Sequence, residues 1–335
     1  MAWGLGLLLG LLATVTVAVA VGAVTVPPTV VAGVVADRAG LPVTVTWAPS
    51  VDAIVWQVRV PRVVLGIAVG AGLAVCGVAL QAMVRNVLAD PYLLGINSGA
   101  SSGAAAAILF GFAAGLGQHA LSVSAFLGAL GASLLVYGVA RGGGQVTAVR
   151  LLLAGVVVGY ALYAATSFLI FASGSAEGAR SVLFWLLGSL GLARWGSPLA
   201  VVVATVLVLT LAARQLDLLL VGDSTSRALG VSAAALRTRL LVLVSLCIGV
   251  VVAAAGSIGF VGLVVPHLAR RAVGGRHAHV VPIAALMGAI LLLWADIVAR
   301  TLLAPQEIPI GIVTSLVGAP FLLVLVRRLH ATRTA

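Results

Sequence analysis

Long runs without a formal charge constrain this chain more than any other feature of its sequence. The run from Pro91 to Ala140 has fifty residues without Asp, Glu, Lys or Arg. A helix needs about 20 apolar residues to cross the hydrocarbon core of a bilayer, so this run has room for two crossings. Hydrophobic residues make up 62% of the chain and charged residues 8%, and no soluble fold of this size can bury so much apolar surface. We therefore predict an all-α polytopic membrane protein.

The apolar segments predict about ten membrane spans within a single transmembrane domain, residues 1–335. The N-terminal segment, Met1 to Ala36, carries no charge and lacks the basic region of a secretory signal. We therefore expect the first span, which it contains, to be retained. A break near Gly115–His119 divides the fifty-residue run, and the apolar stretch Ser181–Ala193 is too short to cross and predicts a surface helix. The other spans are predicted at Trp3–Val26, Val63–Val84, Leu151–Ala176, Gly196–Ala213, Leu240–Ser257, Ile258–Ala269, Val280–Ala295 and Ile308–Val326.

Arginine placement predicts the orientation of these spans. All 19 basic residues are arginine, and cytoplasmic loops of membrane proteins carry an excess of basic residues. With both termini in the cytoplasm, thirteen arginines lie inside and six outside, namely Arg38, Arg59, Arg62, Arg180, Arg194 and Arg300. The segment 37–62 is then an extracytoplasmic loop, and the segment 214–239 is the longest cytoplasmic one.

The sequence lacks the residues that several classes of function need. The net charge is +11, but the arginines stand singly or in pairs at span ends without interleaved aromatics, so we expect no nucleic-acid partner. The chain has no lysine, so it cannot supply the lysine of a phosphate-binding loop, and any ATP hydrolysis belongs to another subunit. None of the eight acidic residues lies in the middle of a predicted span, which argues against an ion-coupled carrier.

The histidines and cysteines form no motif of a catalytic or metal site. His277 and His279 have no cysteine or carboxylate beside them in the sequence, so a solvated turn is favoured over a metal site. Cys76 and Cys247 lie inside separate apolar runs and are interpreted as packing residues. No Ser/His/Asp order or carboxylate pair stands out. We therefore predict no catalytic residue, no metal and no cofactor on this chain, and a membrane enzyme has no positive support.

Glycines at a spacing of four residues predict close helix packing. Gly95, Gly99 and Gly103 recur in this way after the Asp90–Pro91 turn. Small residues at this spacing let helix backbones approach each other in lipid. Tight packing is the favoured interpretation, and a hinge in a channel is the alternative.

Two groups of residues are candidates for contacts with other proteins. Outside, Arg59 and Arg62 precede the second span and Arg300 ends the ninth. Guanidinium groups pair well with carboxylates, so these three predict docking of an acidic protein, and snorkelling at the membrane interface is the alternative. Inside, the sequence predicts two short helices broken at Gly222 and ended by Gly230, which a motor domain could grip or which could lie on the membrane surface.

The chain resembles the FecCD-type permeases over about residues 55 to 328. These proteins are the membrane subunits of binding-protein-dependent ABC importers for ferric siderophores, haem and cobalamin. The motifs that carry the resemblance are Arg59-Val-Pro-Arg62, Arg85-Asn-Val-Leu-Ala-Asp-Pro-Tyr-Leu-Leu-Gly-Ile-Asn-Ser-Gly-Ala100, Arg150-Leu-Leu-Leu-Ala-Gly155, Phe184-Trp-Leu-Leu-Gly-Ser189, Gly256-Ser-Ile-Gly-Phe-Val-Gly-Leu-Val-Val-Pro-His-Leu-Ala-Arg270, Asp296-Ile-Val-Ala-Arg300, Glu307-Ile-Pro-Ile-Gly311 and Gly318-Ala-Pro-Phe321.

The resemblance implies a type II ABC importer permease fold, with two copies forming a homodimer and the pathway at its axis. Two separate ATPase subunits would bind ATP and Mg²⁺, and an extracytoplasmic substrate-binding protein would dock on Arg59, Arg62 and Arg300. A hairpin would insert into the ATPase, and a turn and the start of a later helix would narrow the cytoplasmic exit. The corresponding residues are Leu220, Gly222, Asp223, Arg227, Leu229 and Gly230 for the hairpin, and Asn86, Leu88 and Thr147 for the exit.

One position departs from the family pattern. Family members usually have Asn-Pro-Leu-Ala-Asp-Pro at the turn after the second span, whereas this chain has Val87 where the first proline stands. Valine restores a backbone N–H and relaxes the restriction on Asn86, so the shape of the exit is not predicted. We expect a ferric siderophore or haem as cargo, with cobalamin as the alternative, in the cytoplasmic membrane of a bacterium. A secondary carrier or channel that works alone is the alternative from another class.

Overall fold

The structure is a computed structural model that describes residues 2–22, 24–142, 144–193, 195–196 and 198–331. Arg194, one of the six arginines predicted to lie outside, is not among the described residues. Every regular element in the described part of the chain is helical. The α-helices are α1 (Ala2–Ala20), α2 (Pro28–Arg38), α3 (Pro49–Ala53), α4 (Val60–Val84), α5 (Ile96–Phe110), α6 (Ala120–Arg141), α7 (Ala148–Ser173), α8 (Ala176–Leu186), α9 (Leu199–Leu211), α10 (Ala213–Leu220), α11 (Asp223–Ala228), α12 (Ala233–Ala255), α13 (Val261–Val273), α14 (His277–Thr301) and α15 (Ile310–Ala331).

The helices confirm a polytopic all-α architecture. Among the described residues, six helical segments are long and apolar enough to cross a membrane, and seven if α9 and α10, which meet at 62°, count as one. Three further apolar helices, α5, α13 and α15, are shorter or have a shorter apolar part. The predicted number of about ten spans requires these three to cross as well and stays a prediction.

Helix α4 is the centre of the molecule. It packs against α9, α12, α13 and α14, and 89% of its most apolar stretch of 18 residues is buried. Glycine makes two of these approaches possible, because a Cβ on Gly70 would overlap the carbonyl group of Gly288 in α14, and one on Gly77 that of Gly262 in α13. Close backbone contact of this kind stabilises helix pairs in lipid through dispersion forces.

Four segments show how the helix boundaries compare with the predictions. The first helix ends at Ala20, inside the segment Trp3–Val26 that was predicted to contain the first span. The segment 37–62 contains α3, a π-helical stretch Ile54–Arg59 and the start of α4, so it is largely helical. The helix after the fifth span covers Ala176–Leu186 and not Ser181–Ala193. Residues 233–239 of the predicted hairpin segment already belong to α12.

Candidate functional site

Arg59, Arg62 and Arg300 lie together where the C-terminal end of α1, the start of α4 and the C-terminal end of α14 meet, and they are buried. Arg59 is 6% exposed, Arg62 8% and Arg300 6%. Arg59 donates to the carbonyl oxygens of Val19 and Ala20 at 2.7 and 2.8 Å and also to that of Val24. Arg300 donates to the carbonyl oxygens of Ala18 and Val21 at 2.6 and 2.8 Å.

These bonds explain why α1 ends where it does. The last four carbonyl groups of a helix have no partner within the helix, and cations stabilise this end through the helix dipole. Arg59 and Arg300 satisfy the carbonyl oxygens of Ala18, Val19 and Ala20 from two other elements. The end of α1 is therefore fixed by tertiary contacts, which local sequence signals do not show.

Arg62 pairs with two carboxylates. Its Nε and Nη2 donate to Asp296 at 3.0 and 2.9 Å, and its Nη1 and Nη2 donate to Glu307 at 2.9 and 3.0 Å. Asp296 is 1% exposed and also lies 3.2 Å from the Nε of Arg300, whereas the side chain of Glu307 is 48% exposed. The sequence reasoning did not include either carboxylate in the site, although the i,i+4 spacing of Asp296 and Arg300 is a signal for that pair.

Docking of another protein on these arginines stays a prediction. In this structure their guanidinium groups face internal partners. A carboxylate from outside could reach Arg62 by replacing Glu307, whose side chain is half exposed. Arg59 and Arg300 bond to backbone carbonyl groups of the α1 end, which a docking protein would have to displace.

A cavity of about 1000 Å³ opens beside Arg62 and Glu307. It is bounded by the starts of α4, α6 and α9, by the C-terminal ends of α12 and α14, and by α8. Its lining also includes His119, Trp185 and Trp195, so it is mostly aromatic and apolar with a few polar groups. A cavity of this type is typical of ligand or partner sites.

The non-helical residues Gly188 and Ser189 line the cavity, and their backbone bonds to the end of α12 and to the start of α15. The amide of Ser189 donates to the carbonyl oxygen of Ala255 at 2.8 Å, and the amide of Ile310 donates to that of Gly188 at 3.2 Å. Gly188, Ser189 and Ile310 all line the cavity.

Tyr92, after the Asp90–Pro91 turn, bonds to the break between α12 and α13, residues 256–260. The hydroxyl of Tyr92 donates to the carbonyl oxygen of Ile258 at 2.9 Å and accepts from the amide of Ile258 at 2.8 Å. One side chain thus satisfies both backbone groups of a residue outside any helix. The turn that follows α4 is thereby fixed to the α12–α13 break.

The predicted hairpin is present as α10 and α11. Gly222 has φ of 103° and separates the two helices, and Gly230 has φ of 80° and follows the second; both values favour glycine. Three apolar side chains of the hairpin are exposed, with exposed fractions of 48% for Leu220, 56% for Val221 and 60% for Leu229. An apolar surface of this kind marks a contact with protein or membrane.

The hairpin is fixed to the helical core on two sides. Asp217 in α10 lies 2.5 Å from Nδ1 of His277 and also accepts from its amide at 3.1 Å. Asp223 in α11 accepts from Nη1 and Nη2 of Arg237 at 2.8 and 2.6 Å. His277 is buried and bonded to the hairpin, so the interpretation of His277 and His279 as a solvated turn is wrong for His277, which is 1% exposed.

Charge around Asp223 favours its ionised form. The two hydrogen bonds from Arg237 hold the pKa of the Asp223 carboxyl below its usual range, and the nearby charges of Arg85 and Arg227 act in the same direction. Arg227 itself is exposed and donates to the carbonyl oxygen of Asp223 at 3.2 Å. The sequence reasoning missed Arg237, because its partners are 14 and 154 residues away along the chain.

The predicted exit residues lie in two exposed turns. The Oδ1 of Asn86 accepts from the amide of Leu88 at 2.9 Å, and Val87 between them is 42% exposed. Thr147 caps α7, since its hydroxyl accepts from the amide of Arg150 at 3.3 Å. The structure places Asn86 and Leu88 directly after α4 and Thr147 at the start of α7, and their role at an exit stays a prediction.

The glycines of α5 lie against neighbouring backbone. A Cβ on Gly99 would overlap the carbonyl oxygen of Gly128, and one on Gly103 would overlap that of Ser124, both in α6. Gly95 precedes α5 with φ of 69° and approaches Gly155 and Gly159 in α7. In this structure these glycines therefore allow close packing of α5 against α6 and α7.

The sequence of this chain matches one family of transport proteins. A family model described as the FecCD transport family matches residues 10–328. The chain is 41% identical over 297 residues to the hemin transport system permease protein HmuU of Yersinia pestis, covering 86% of this chain and 88% of the relative. It is 42% identical over 281 residues to the cobalamin import system permease protein BtuC of Halobacterium salinarum, covering 83% of this chain and 74% of the relative.

A solved structure has the same fold. It is described as an inward-facing conformation of a metal-chelate type ABC transporter. The TM-score is 0.84 at 33% sequence identity, and the match covers 97% of this chain and 98% of the other.

Proposed function

Because this chain belongs to the FecCD transport family and is a permease of an ABC importer for a metal chelate, haem or cobalamin, we propose that its cargo is an iron chelate, either a ferric siderophore or haem. The observation that carries the class is the family match over residues 10–328. The similarity to a hemin permease over 86% of the chain supports haem within the proposal.

Cobalamin is the second candidate, and it has a specific observation in its favour. The cobalamin permease of Halobacterium salinarum is 42% identical over 281 residues, against 41% for the hemin permease over 297. These two values do not separate the two cargoes. Haem, ferric siderophores and cobalamin are all large organic chelates of a metal, so one pathway with few fixed charges suits each of them.

ATP hydrolysis on two separate ATPase subunits is the proposed source of energy. The chain has no lysine for a phosphate-binding loop, and its hairpin exposes Leu220, Val221 and Leu229. In the proposed arrangement the ATPase grips α11, and closure of the ATPase moves the hairpin. ATP and Mg²⁺ are bound by the ATPase subunits and not by this chain.

A homodimer and an extracytoplasmic binding protein complete the proposed importer, with lipid around it. The orientation has both termini in the cytoplasm of a bacterium, so the cavity beside Arg62 faces outwards. The mass of the purified, transport-active complex in detergent tests the homodimer. A mass that corresponds to one copy of this chain per complex would contradict it.

Docking at the outer face is proposed to use an exchange of carboxylates on Arg62. An acidic side chain of the binding protein would take the place of Glu307, and Arg62 would keep its pair with Asp296. Glu307→Gln is therefore expected to preserve or strengthen docking, with Asp52→Asn on the exposed pair with Arg38 as the control. Weaker docking of purified binding protein by Glu307→Gln alone would show that this carboxylate, and not Arg62, makes the contact.

Uptake into proteoliposomes tests the function. Vesicles contain the chain, its ATPase subunit and its binding protein, and the probes are hemin, a labelled ferric siderophore and cyanocobalamin. We expect uptake of one of the iron chelates, and uptake of cyanocobalamin alone would establish the second candidate. Vesicles that contain only the chain are the control, because uptake by them would indicate a carrier or channel that works alone.

A further inference from the structure

Arg237 is the most thoroughly buried charged side chain at the cytoplasmic end of the described structure. It is 0% exposed and lies near the start of α12. Burial of a charge is costly unless it is paired and hydrogen-bonded. Arg237 meets this condition through three donors, which reach two different elements of the fold.

The first of these elements is the hairpin. Nη1 and Nη2 of Arg237 donate to the two carboxylate oxygens of Asp223, the first residue of α11, at 2.8 and 2.6 Å. This is the two-pronged geometry that only the planar guanidinium group provides. Ser226 holds α11 to α10 through bonds to the carbonyl oxygens of Leu218 and Gly222, both 2.7 Å, so the pair fixes the hairpin as a unit.

The second element is the C-terminal end of α4. Nε of Arg237 donates to the carbonyl oxygen of Met83 at 3.0 Å. Helix α4 ends one residue later, at Val84. Arg85 follows with φ of 52°, and the amide of Asn86 returns to the carbonyl oxygen of Gln81. Arg237 therefore supplies a hydrogen bond that the end of α4 lacks within its own helix.

These contacts continue beyond α4. The side-chain Nε2 of Gln81 donates to the carbonyl oxygen of Ala89 at 3.3 Å, which holds the turn after α4 against the helix. The same turn leads to Tyr92 and its two bonds with Ile258. Displacement of the end of α4 therefore acts on the turn Asn86–Asp90 and, through Tyr92, on the break between α12 and α13.

We infer that Arg237 is a positioning residue that transmits movement of the α10–α11 hairpin to the end of α4 and to the turn that follows it. The inference rests on the proposed function, because the movement comes from the ATPase. A lysine at this position would carry the charge, but its single ammonium group cannot bond to both carboxylate oxygens of Asp223 and to Met83 in the same geometry. Arg237→Lys therefore separates charge from bridging.

The test follows the turn by chemical labelling in the complex of this chain with its ATPase subunit. Val87→Cys places a thiol at an exposed position of the turn, and the native Cys76 and Cys247 are both 0% exposed. The rate of maleimide labelling is measured with and without ATP and Mg²⁺, together with ATP turnover. In the Val87→Cys chain we expect ATP to change the labelling rate. In Val87→Cys with Arg237→Lys, we expect this change to fall by about 2- to 30-fold, the range for residues that carry coupling between sites, while ATP turnover continues.

Arg239→Lys is the matched control, because Arg239 lies on the same helix and is exposed; we expect the full response to ATP. If Arg237→Lys does not assemble with the ATPase, Asp223→Asn decides, since it weakens the bond to the hairpin and leaves Arg237 on Met83. A full response to ATP in the assembled Arg237→Lys or Asp223→Asn complex overturns the inference. A different result would contradict the proposed function itself: no ATP turnover, and no effect of ATP on the labelling rate of the Val87→Cys chain with Arg237 unchanged.

Discussion

Replacement of Asp296 by asparagine removes the carboxylate that Arg62 and Arg300 share. Asp296 is 1% exposed, and it accepts from Arg62 at 2.9 and 3.0 Å and lies 3.2 Å from Nε of Arg300. The variant keeps the volume of the side chain, so it creates no cavity. It leaves two buried guanidinium groups with Glu307, half exposed, as the remaining carboxylate in this cluster.

The magnitude follows from burial. Removal of one partner from a buried ion pair costs about 3–5 kcal/mol because the other charge stays buried without compensation. The pair of Arg38 and Asp52 is the matched comparison, since the side chain of Arg38 is 43% exposed. An exposed pair contributes about 0–1 kcal/mol. Asp296→Asn should therefore destabilise the protein by at least about 2 kcal/mol more than Asp52→Asn.

Unfolding of the purified protein in mixed detergent and SDS micelles measures this difference. Circular dichroism gives the transition midpoint of each variant, and salt provides a second comparison. Screening acts mainly on exposed charges, so added salt should reduce the effect of Asp52→Asn and leave that of Asp296→Asn. Equal destabilisation by the two variants, with equal dependence on salt, would refute the argument that burial sets the strength of the outer cluster.

Three further predictions concern packing, pH and the hairpin. Gly99→Val should destabilise the protein by about 1–3 kcal/mol through overpacking, whereas Gly131→Ala, where a Cβ has nothing within 4 Å, should not; the same unfolding assay checks this. Asp223 has a lowered pKa in the folded protein. Its contribution to the stability of the fold is therefore complete above the usual carboxyl pKa of about 3.9 and is lost as the pH falls through the lower folded value. Asp223→Asn should lose less stability than the unchanged protein on acidification over that range. Leu229→Asp should weaken co-purification of the ATPase subunit without changing the unfolding midpoint, while Leu41→Asp, at an exposed position in the predicted extracytoplasmic segment, should leave co-purification unchanged.

The sequence predicted those features of the fold that depend on local pattern. Charge-free runs indicated the helices, and the break near Gly115–His119 appears as the 3-10 segment Ala114–His119 between α5 and α6. Gly222 and Gly230 marked the ends of α11 because few other residues adopt positive φ. These signals lie within a few residues of the features they predict.

Pairing over long distances along the chain could not be predicted in the same way. The positive-inside rule treats each arginine as a separate charge near the interface and places Arg59, Arg62 and Arg300 outside. Docking of an acidic protein is then predicted from guanidinium–carboxylate pairing, with snorkelling as the alternative. In the structure they bond to the end of α1 and to Asp296 and Glu307. Burial of these arginines depends on how the helices pack, which hydropathy does not specify.

ATP-driven uptake is the most direct test of whether this chain is the permease of an importer. Proteoliposomes with the chain, its ATPase subunit and its binding protein are loaded with ATP or with a non-hydrolysable analogue, and accumulation of labelled hemin, ferric siderophore and cyanocobalamin is measured. We expect one of these chelates to accumulate, and only with all three components and hydrolysable ATP. Accumulation driven by an ion gradient in vesicles that contain the chain alone would show that the chain is a carrier and not an importer permease.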